Sequence, residues 1–451
     1  MLNWLNDNII WGAPMLIIYL LAGTVFSVKL KFGQITRLGE VFKRTLFSKE
    51  KGKTDRKNLS PLQTLTSALA TTLGTGNIVA VGSAVAIGGA GAVFWMLVSA
   101  FLGMATCYGE NVLGMKYRQR REDGSWFGGA FHYISAAFGT VKAGKLYAFF
   151  CLAASIGIGN MTQINAMSGS LNSAFGIPTF VSGLVAAVLL LWLIFGGVKL
   201  FGRVTEKVIP IISLIYVLGC FGVIFINISN LPQAFLRIFK EAFDFRAVSG
   251  GFFGSAMMAG MSWGVRRGIF SNEAGLGSSV MLNSATSSED EEKQGLWAML
   301  QVFFDTIVMC TLTAVTLLVT GADKIAEDGI SNAVYAFQCV FGDFSSGFVA
   351  IAITVFAVTT AAGWSVYGSN SLEYLTGGKG KSVFLVIFAA ATVVGATMKI
   401  ELVWQLSDLL NGLMAIPNLP AMLILSREVR DFHRVNYAKS FIRKKHIFGQ
   451  F

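Results

Sequence analysis

The sequence contains few charged residues and few histidines. Asp, Glu, Lys and Arg together make up 14% of the 451 residues, whereas they make up about 25% of an ordinary globular protein. The three histidines, His132, His433 and His446, do not cluster, and neither an HExxH nor a GxSxG motif occurs. The composition therefore argues against a chain of soluble domains, and the sequence predicts that the protein is not an enzyme.

Cysteine is also scarce. The five cysteines, Cys107, Cys151, Cys220, Cys310 and Cys339, are spread through apolar segments without a CxxC pair. A disulfide framework or a zinc site is expected to show paired or closely spaced cysteines. We therefore interpret the cysteines as packing residues, and the sequence predicts no organic cofactor.

Apolar residues are abundant instead. They make up 54% of the chain, and the mean hydropathy is +0.61. A helix that crosses about 30 Å of hydrocarbon needs about 20 mostly apolar residues. Eleven segments meet this requirement, so the sequence predicts an all-α integral membrane protein. The segments begin near Ile9, Leu62, Ala92, Lys145, Pro178, Lys207, Val248, Gly295, Ser346, Lys381 and Leu402.

The 36 Lys and Arg residues are concentrated in alternate loops. With the N-terminus placed outside, the inner segments hold 31 of them, including the three from Arg266 to Lys293, and the outer loops hold 5. Cytoplasmic loops of membrane proteins are enriched in basic residues. The distribution predicts a multi-pass protein of the cell (inner) membrane with its N-terminus outside and its C-terminus in the cytoplasm. It also accounts for the net charge of +11 without a nucleic-acid partner.

The second predicted span is interrupted by glycine. Gly74 and Gly76 flank Thr75 in a stretch that has no charged residue from Pro61 to Val98. Glycine costs about 1 kcal/mol in a helix interior, and an unwound turn in lipid leaves backbone groups without partners. Such a turn must therefore line a cavity or contact a ligand. The amide and carbonyl groups at a broken helix suit the carboxylate and the ammonium group of a zwitterionic amino acid.

A second dense group of glycines follows five spans later, where Gly260, Gly264 and Gly268 surround Ser262. Two interrupted spans five helices apart are typical of an inverted repeat, with the substrate site between the repeats near the middle of the membrane. Glycine also allows membrane helices to pack closely. The paired pattern favours the first interpretation and predicts a second break around Ser262.

Neutral side-chain oxygens lie near the first break and in two further spans. The candidates are Thr71, Thr72, Thr75 and Asn77 near the break, Asn160, Thr162, Gln163 and Asn165 in the fourth span, and Thr359 and Thr360 in the ninth. Thr360 shares a helix face with Trp364, four residues later. Uncharged oxygens suit a hard cation, whereas they do not bind and release a proton near neutral pH. The oxygens therefore favour sodium as the coupling ion.

Two acidic residues lie within predicted spans, Glu110 in the third and Asp305 in the eighth. Acidic residues inside a membrane are by default candidates for function. For Asp305, a proton-coupling role, a nearby ion and a contact with a broken helix remain as alternatives. For Glu110 we expect a structural pair with Arg118, two turns further along the same helix.

Several segments carry a family resemblance. They are SPLQTLTSALATTLGTGNIVAVGSAVAIGGAGAVFWM, FLGMATCYGENVLGMKYR, GNMTQINA, VTEKVIP, GVRRGIFSNEAGLGS, TTAAGWSVYG and LNGLMAIPNL. In this order they resemble the signatures of the alanine or glycine:cation symporter family, from about Leu59 to Leu425. The resemblance implies the leucine-transporter fold, here with 11 transmembrane helices in a 5+5 inverted repeat that follows one extra N-terminal helix. It also implies sodium-coupled uptake of small neutral amino acids or, in some members, of glutamine.

The resemblance further implies the site residues. The amides of Thr75 and Gly76 would bind the substrate carboxylate, and other residues would line the pocket. The substrate set is Thr75, Gly76, Gln163, Asn165, Met258, Met261, Ser262, Thr360 and Trp364. The sodium set is Ala70, Leu73, Phe356, Thr359 and Thr360. Asn77 is implied as a ligand of a second ion or as a helix clamp.

Five segments are predicted along the chain. Residues 1–30 form an accessory N-terminal transmembrane helix, 31–61 a basic cytoplasmic loop, 62–230 the first five-helix repeat, 246–426 the second repeat, and 427–451 a basic cytoplasmic tail. We expect a secondary symporter that couples sodium entry to uptake of alanine, glycine or serine by alternating access. A sodium-coupled glutamine symporter, a proton-coupled carrier and a passive channel are the alternatives. The expected partners are the amino acid, sodium and the lipid bilayer, without a predicted oligomeric state.

Overall fold

Helices form nearly all of the described structure. The computed structural model describes residues 2–45, 58–244, 256–326 and 328–448. The first half of the chain contains α1 (Leu2–Leu5), α2 (Ala13–Lys29), α3 (Gly33–Thr36), α4 (Leu38–Arg44), α5 (Pro61–Thr72), α6 (Val79–Gly88), α7 (Gly91–Tyr117), α8 (Ala130–Phe138), α9 (Val141–Ile156), α10 (Gln163–Phe175), α11 (Thr179–Phe195), α12 (Gly197–Ile226) and α13 (Leu231–Ala242).

The second half contains α14 (Ala256–Asn272), α15 (Val280–Asn283), α16 (Glu291–Val302), α17 (Thr311–Thr320), α18 (Gly329–Phe341), α19 (Phe344–Thr376), α20 (Lys381–Thr397) and α21 (Ile400–Phe448). Turns of π-helix lie at Asn6–Ile10, Gly157–Thr162 and Phe303–Cys310, and turns of 3-10 helix at Thr75–Asn77, Ile228–Asn230 and Ala322–Lys324. Strands β1 (Gln119–Arg120) and β2 (Trp126–Phe127) form one short antiparallel hairpin, in which Gln119 faces Phe127.

Seven helices in the described part of the chain are long and apolar enough to cross a membrane, and the bent pair α5–α6 makes up to eight. The seven are Asn6–Lys29, Gly91–Tyr117, Val141–Phe175, Gly197–Ile226, Glu291–Thr320, Phe344–Thr376 and Ile400–His433. The three remaining predicted spans contain α11, α14 and α20, which have 17 residues each. The predicted start of one of them, Val248, lies outside the described residues, as does the predicted boundary at residue 246.

Large apolar side chains cover the outer faces of several helices. Phe195 of α11 and Phe225 of α12 are each 75% exposed, and Val386 of α20 is 70% exposed. Soluble proteins rarely leave large apolar patches in contact with water. These faces suit lipid, in agreement with the apolar spans of a multi-pass membrane protein.

Helix α5 begins and ends for local reasons. Pro61 occupies its first turn, and Ser60 and Gln63 form a reciprocal capping box, with both hydrogen bonds 3.2 Å long. The helix ends at Leu73, where the backbone leaves the helical region, and α6 continues at an angle of 57° to α5. The first break is therefore where the sequence predicts it.

Helix α14 is continuous across the glycines that predict a second break. A Cβ atom on Gly264 would lie 2.2 Å from the carbonyl oxygen of Ala92, and one on Gly268 would lie 2.6 Å from Oγ of Ser99. Glycine at these positions lets α14 pack directly on α7. The prediction of a break around Ser262 is therefore wrong, because this glycine face is a helix-packing surface.

The chain breaks after α14 instead, from Glu273 to Ser279. Glu273, Gly275 and Gly277 all have positive φ angles, of 60°, 84° and 72°. Alternating left-handed residues cannot continue a right-handed helix. The second discontinuity therefore lies at the Asn-Glu-Ala-Gly-Leu-Gly segment, beyond the predicted position.

Arg266 and Arg267 belong to the body of α14 rather than to a loop. They line a cavity together with Gly329 and Ile400. The loop count includes both arginines among the basic residues of the inner segments, but they are not loop residues.

The first part of the predicted basic loop at 31–61 is largely helical. It contains α3 and α4, and Arg37 and Arg44 bind opposite oxygens of Glu292 at the start of α16, at 2.8 and 2.7 Å. Residues 46–57 lie outside the described residues. The predicted tail at 427–451 continues α21 as a helix as far as Phe448, and residues 449–451 lie outside the described residues.

Candidate functional site

The first break is held by side chains in place of the helical hydrogen-bond pattern. Oε1 of Gln163 accepts hydrogen bonds from the backbone amide of Thr75, at 3.0 Å, and from its hydroxyl, at 2.9 Å. Oδ1 of Asn77 accepts a hydrogen bond from the amide of Gly74, at 3.0 Å. All four residues are buried. Because buried amides need partners, Gln163 and Asn77 stabilise the unwound backbone.

Glycine at position 74 is required by the close approach of two other helices. A Cβ atom there would lie 2.8 Å from Oγ1 of Thr360 on α19 and 2.9 Å from Oε1 of Gln163 on α10. Gln163 directly follows the π-helical turn Gly157–Thr162. Such turns occur frequently at functional sites. Three elements therefore converge on one point of broken backbone.

Thr360, one of the predicted sodium residues, contacts the C-terminal end of α5. The hydroxyl of Thr360 donates hydrogen bonds to the carbonyl oxygens of Ala70, at 2.9 Å, and Leu73, at 3.4 Å. The hydroxyl of the neighbouring Thr359 donates within α19 to the carbonyl oxygen of Phe356, at 3.1 Å. The last carbonyl groups of a helix lack intrahelical partners and carry the negative end of its dipole. Neutral oxygens of this kind are suitable ligands for a hard cation.

Trp364 forms a buried wall beside this point. A Cβ atom on Gly159 would lie 2.3 Å from Cβ of Trp364, so glycine in the π-helical turn makes room for the indole. The ring of Tyr367 packs edge-on against Trp364, with centroids 5.1 Å apart. The hydroxyl of Tyr367 in turn lies 3.0 Å from that of Thr71 on α5. The α19 face predicted from Thr360 and Trp364 thus contacts both α5 and the π-helical turn before α10.

A buried carboxylate lies on the opposite side of the first break. The amide nitrogen of Asn77 donates to Oδ1 of Asp305, at 2.8 Å, and to Oγ of Ser271, at 3.1 Å. Oδ2 of Asp305 accepts from Ser271, at 2.8 Å, and from Thr306, at 2.7 Å. The contact predicted between Asp305 and a broken helix is therefore present. Asn77 consequently connects the break to α14 and to the π-helical turn at Phe303–Cys310.

The second break holds another buried carboxylate, Glu273. The hydroxyl of Ser278 donates to its Oε2 at 2.5 Å, and the side chains of Tyr367 and Trp364 lie near the carboxylate. A non-glycine residue with positive φ is uncommon and is held in place by its surroundings. Through Tyr367 and Thr71, Glu273 links the second break to the first.

Glu110 also belongs to the second break. Its Oε1 accepts hydrogen bonds from the amide of Gly277, at 2.9 Å, and from Asn418, at 2.7 Å. Arg118 instead donates to backbone carbonyl groups, among them that of Ser284, at 3.0 Å. The predicted pair of Glu110 and Arg118 is therefore wrong, because the acid supports broken backbone.

The sequence predicts that the turn from Met258 to Ser262 lines the pocket, but this stretch lies in the first half of α14. Ser262 precedes Ser271 by nine residues, which corresponds to about 13 Å along an α-helix. Ser271 is the residue of α14 that bonds to Asn77 of the first break. The structure therefore does not bring Met258, Met261 and Ser262 to the break.

Asn165 also points to a different neighbour. Its amide nitrogen donates to the carbonyl oxygens of Gly395, at 2.7 Å, and Met398, at 2.8 Å. These carbonyl groups lie at the end of α20 and just beyond it, where the last turn lacks intrahelical donors. Of the polar residues predicted in the fourth span, Gln163 reaches the first break, whereas Asn165 fastens α10 to α20.

Sequence reasoning missed Phe270, Ser271 and Glu273. A Cβ atom on Gly76 would lie 3.3 Å from Cα of Ser271 and 3.4 Å from the ring of Phe270. The available signal was an acid followed by two glycines two residues apart, at Gly275 and Gly277, within a predicted span. That pattern differs from glycines four residues apart, which share one helix face.

Comparisons with known proteins agree with this architecture. The model of the sodium:alanine symporter family matches residues 1–447. The sodium/alanine symporter AgcS of Methanococcus maripaludis is 38% identical over 448 residues, which cover 96% of this chain and 98% of AgcS. The probable sodium/glutamine symporter GlnT of Bacillus subtilis is 34% identical over 427 residues, which cover 94% of this chain and 87% of GlnT.

Among solved structures, MhsT in complex with L-phenylalanine matches with a TM-score of 0.59 and 12% identity, over 86% of this chain and 99% of MhsT. This likeness shows a shared fold. The family model and AgcS each extend over nearly the whole chain, and this family transports sodium together with amino acids. The chain therefore belongs to the sodium:alanine symporter family.

Proposed function

We propose that the protein couples sodium entry to the uptake of alanine, glycine or serine by alternating access. The observation that carries the proposal is the contact between the hydroxyl of Thr360 and the carbonyl oxygen of Ala70. It places a side-chain oxygen of α19 on the end of a broken helix, directly beside Gly74. A cation bound there would join α19 to α5, and its release would let the two helices separate.

Sodium would be held by the carbonyl oxygens of Ala70, Leu73 and Phe356 and by the hydroxyls of Thr359 and Thr360. The Thr360 hydroxyl already lies within 3.4 Å of two of these carbonyl oxygens. Within the described residues no group of three or more His, Cys, Asp and Glu side chains forms a metal cluster. A neutral oxygen set of this kind favours a monovalent over a divalent cation, because no carboxylate balances a second charge.

The substrate carboxylate would bind to the amides of Thr75 and Gly76, at the start of the short helical turn before α6. Helix N-termini bind carboxylates through free amides and the positive end of the dipole. Gln163 accepts the hydrogen bond of the Thr75 amide, so the arriving carboxylate would take over that position. Gln163 would then turn its amide group toward the ligand.

Trp364 would limit the size of the substrate side chain. Its indole is buried against Gly159 and Tyr367, so a longer side chain would have to displace it. A tightly packed wall favours a hydrogen, methyl or hydroxymethyl group over a carboxamide. The relative AgcS, described as a sodium/alanine symporter, supports this choice.

Glutamine is the second candidate substrate. The relative GlnT, described as a probable sodium/glutamine symporter, is almost as similar to this chain as AgcS. Gln163 also lies at the break, and its carboxamide could pair with that of a glutamine substrate. Competition between alanine and glutamine decides between the two.

Asn77 would act as a helix clamp, since it bonds to both Asp305 and Ser271. A second ion is the alternative role, because Asn77 and Ser271 lie beside the two oxygens of the Asp305 carboxylate. A second sodium or a proton bound to Asp305 would replace the hydrogen bonds that its carboxylate accepts. The number of sodium ions transported with each amino acid would distinguish a helix clamp at Asn77 from a second ion site.

The broader arrangement would be eleven transmembrane helices in which residues 62–230 and 246–426 form two inverted repeats after the accessory helix at 1–30. The two discontinuities support this proposal, because each interrupts a span and the two contact each other through buried side chains. The basic residues of 31–61 and 427–451 favour a cytoplasmic location for both segments. The N-terminus would then lie outside and the C-terminus inside the cell membrane.

The coupling ion would supply the driving force. One positive charge that enters down 100 mV releases about 2.3 kcal/mol. A factor of ten in concentration corresponds to about 1.4 kcal/mol. A single sodium ion is therefore sufficient to concentrate a neutral amino acid more than tenfold, whereas a passive channel would only equalise its concentration.

Transport by purified protein in proteoliposomes tests the proposal. Uptake of labelled alanine is measured under an inward sodium gradient, with potassium in its place, and under a proton gradient without sodium. We expect accumulation only with sodium, and stronger competition by glycine and serine than by glutamine. Alanine uptake at the same rate with and without sodium would refute sodium coupling. Stronger competition by glutamine than by glycine and serine would make glutamine the preferred substrate.

A further inference from the structure

Asn411, near the middle of the apolar part of α21, has a buried carboxamide without a partner. The residue is 0% exposed, and neither its Oδ1 nor its Nδ2 atom has a hydrogen-bond partner among the described residues. A carboxamide offers both acceptor and donor groups. Most buried polar side-chain atoms in proteins are paired. A carboxamide with neither group paired therefore indicates that this position binds a polar group from outside the chain.

Two other polar side chains on the same face of α21 do have partners. Ser407 shares a hydrogen bond with Thr162. Asn418 donates to the carbonyl oxygen of Gly275 at 2.9 Å. Positions separated by four and seven residues share one face of a helix. Of these three side chains, Asn411 alone is unpaired among the described residues.

This face of α21 extends from the first break to the second. The ring of Trp404, seven residues before Asn411, packs on that of Phe270 with centroids 4.9 Å apart, and Phe270 lies against Gly76 of the first break. Asn418, seven residues after Asn411, bonds to the second break. Seven residues correspond to about 10 Å along a helix. Asn411 therefore lies midway between the contacts that α21 makes with the two breaks.

The neighbouring face of α21 lies along the π-helical turn Gly157–Thr162. A Cβ atom on Gly157 would lie 2.8 Å from Cδ1 of Leu410, the residue before Asn411. The π-helical turn is followed directly by Gln163, which holds the first break. Asn411 is thus placed between this turn and the end of α14, two elements that adjoin the proposed substrate site.

The ammonium group of an amino acid needs acceptors at this site. The last carbonyl groups of α14, which ends at Asn272, lack intrahelical donors and carry the negative end of the helix dipole. Oδ1 of Asn411 is a further neutral acceptor, on the helix that packs against Phe270. A neutral oxygen can accept a charge-assisted hydrogen bond from an ammonium group without the burial of a second charge.

We propose that Asn411 binds the ammonium group of the transported amino acid through its Oδ1 atom, while the amides of Thr75 and Gly76 bind the carboxylate. The inference rests on the proposed function for the identity of the ligand. Helix α21 then contributes to substrate recognition together with α10, α19 and the break after α5. The unpaired carboxamide is kept in the interior because the substrate is its partner.

Equilibrium binding of labelled alanine to the full chain in lipid nanodiscs, with sodium present, tests the inference. Asn411→Leu has nearly the same shape but no hydrogen-bonding group, so alanine affinity should fall about tenfold or more. Asn411→Asp keeps the acceptor oxygen and loses the NH₂ donor, so its affinity should stay within about threefold of the wild type. Equal losses in the two variants would show that the NH₂ group matters and would overturn the inference.

Thermal unfolding in detergent separates substrate binding from a structural role. Asn411→Leu removes two unpaired polar atoms from the interior, so its melting temperature should equal or exceed that of the wild type. Asn418→Leu is the matched comparison on the same helix, because it removes hydrogen bonds to Glu110, at 2.7 Å, and from Tyr133, at 2.6 Å. It should lower the melting temperature. An equally large decrease in Asn411→Leu would assign Asn411 to the structure and overturn the inference.

The same binding measurement distinguishes this inference from the proposed function. If the wild-type protein does not bind alanine in sodium, the proposed function is wrong. If the wild-type protein binds alanine and Asn411→Leu binds it with unchanged affinity, the role of Asn411 is wrong and the proposed function stands.

Discussion

The hydroxyl of Thr360 donates a hydrogen bond of 2.9 Å to the carbonyl oxygen of Ala70, which lies 290 positions earlier in the chain. The contact joins α19 to the end of the broken helix α5. A cation could strengthen it, because the hydroxyl and the carbonyl group can share one ion as ligands. Sodium binding would then be coupled to the relative position of α19 and α5.

Replacement of Thr360 by valine should therefore weaken sodium binding. Valine keeps the branched shape but removes the oxygen, so we expect the sodium concentration for half-maximal alanine uptake to rise at least tenfold. A sodium titration of uptake in proteoliposomes measures this change. Thr360→Ser, which retains the hydroxyl, should recover most of the affinity.

The matched control is Thr354→Val on the same helix. The hydroxyl of Thr354 donates to the carbonyl oxygen of Ala350 at 2.7 Å, within its own helix. Its removal should leave the sodium titration unchanged. An equal rise in both variants would show that α19 is generally sensitive and would remove the special role of Thr360.

Gln163 and Asn165 should behave differently although they are two residues apart. Gln163→Ala removes the partner of Thr75 at the break, so we expect the KM for alanine to rise about tenfold. Asn165→Ala removes two hydrogen bonds to the end of α20, each worth about 1 kcal/mol. It should lower the melting temperature and leave KM nearly unchanged. A raised KM in Asn165→Ala and an unchanged KM in Gln163→Ala would indicate that Asn165, and not Gln163, binds the substrate.

Trp364→Ala should relax the choice of substrate. Removal of the indole leaves space beside Gly159, so glutamine should inhibit alanine uptake at least tenfold more strongly than in the wild type. Trp192→Ala provides a control, because Trp192 is 56% exposed on the outer face of α11. An unchanged glutamine inhibition constant in Trp364→Ala would place the side-chain pocket elsewhere.

Gly264→Ala should destabilise the protein by overpacking. The added Cβ atom would lie 2.2 Å from the carbonyl oxygen of Ala92, and such insertions cost about 1–3 kcal/mol. Thermal unfolding in detergent measures the loss. Gly169→Ala is the control, because its Cβ atom would meet only Ile330, at 3.9 Å. Equal melting temperatures for both variants would contradict the packing role of Gly264.

Glu273→Gln should abolish transport with little change in folding. The carboxylate accepts a hydrogen bond from Ser278 and lies near Tyr367 and Trp364. A carboxamide of the same shape would direct its NH₂ group either at the Ser278 hydroxyl or toward Tyr367 and Trp364, which would displace the wall of the pocket. Glu289→Gln, at an exposed position, should transport normally. Wild-type transport by Glu273→Gln would show that the acid serves only to shape the turn.

The first break could be predicted because its sequence is compatible with an unwound helix that lines a cavity or contacts a ligand. Gly74 and Gly76 lie among polar residues without a charge nearby, and lipid does not tolerate unpaired backbone. Gln163, Thr360 and Trp364 could be named from the resemblance, and the structure brings all three to that region. The position of the glycines in the second span was therefore sufficient to locate the first break, which is one of the two discontinuities.

The second break could not be placed from glycine density. Gly260, Gly264 and Gly268 recur every four residues, which marks one face of an intact helix. Their role depends on α7, a partner that the sequence of α14 does not identify. Likewise, Arg266 and Arg267 resemble loop charges until Asp408 is known to face them. The roles of these glycines and of these arginines therefore depend on tertiary contacts, which the local sequence does not specify.

Simultaneous measurement of labelled sodium and labelled alanine influx into the same proteoliposomes tests the central claim most directly. Wild-type protein should carry at least one sodium ion with each alanine, and Thr360→Val should reduce both fluxes together at low sodium concentration. Alanine influx that proceeds with no accompanying sodium influx would contradict the account.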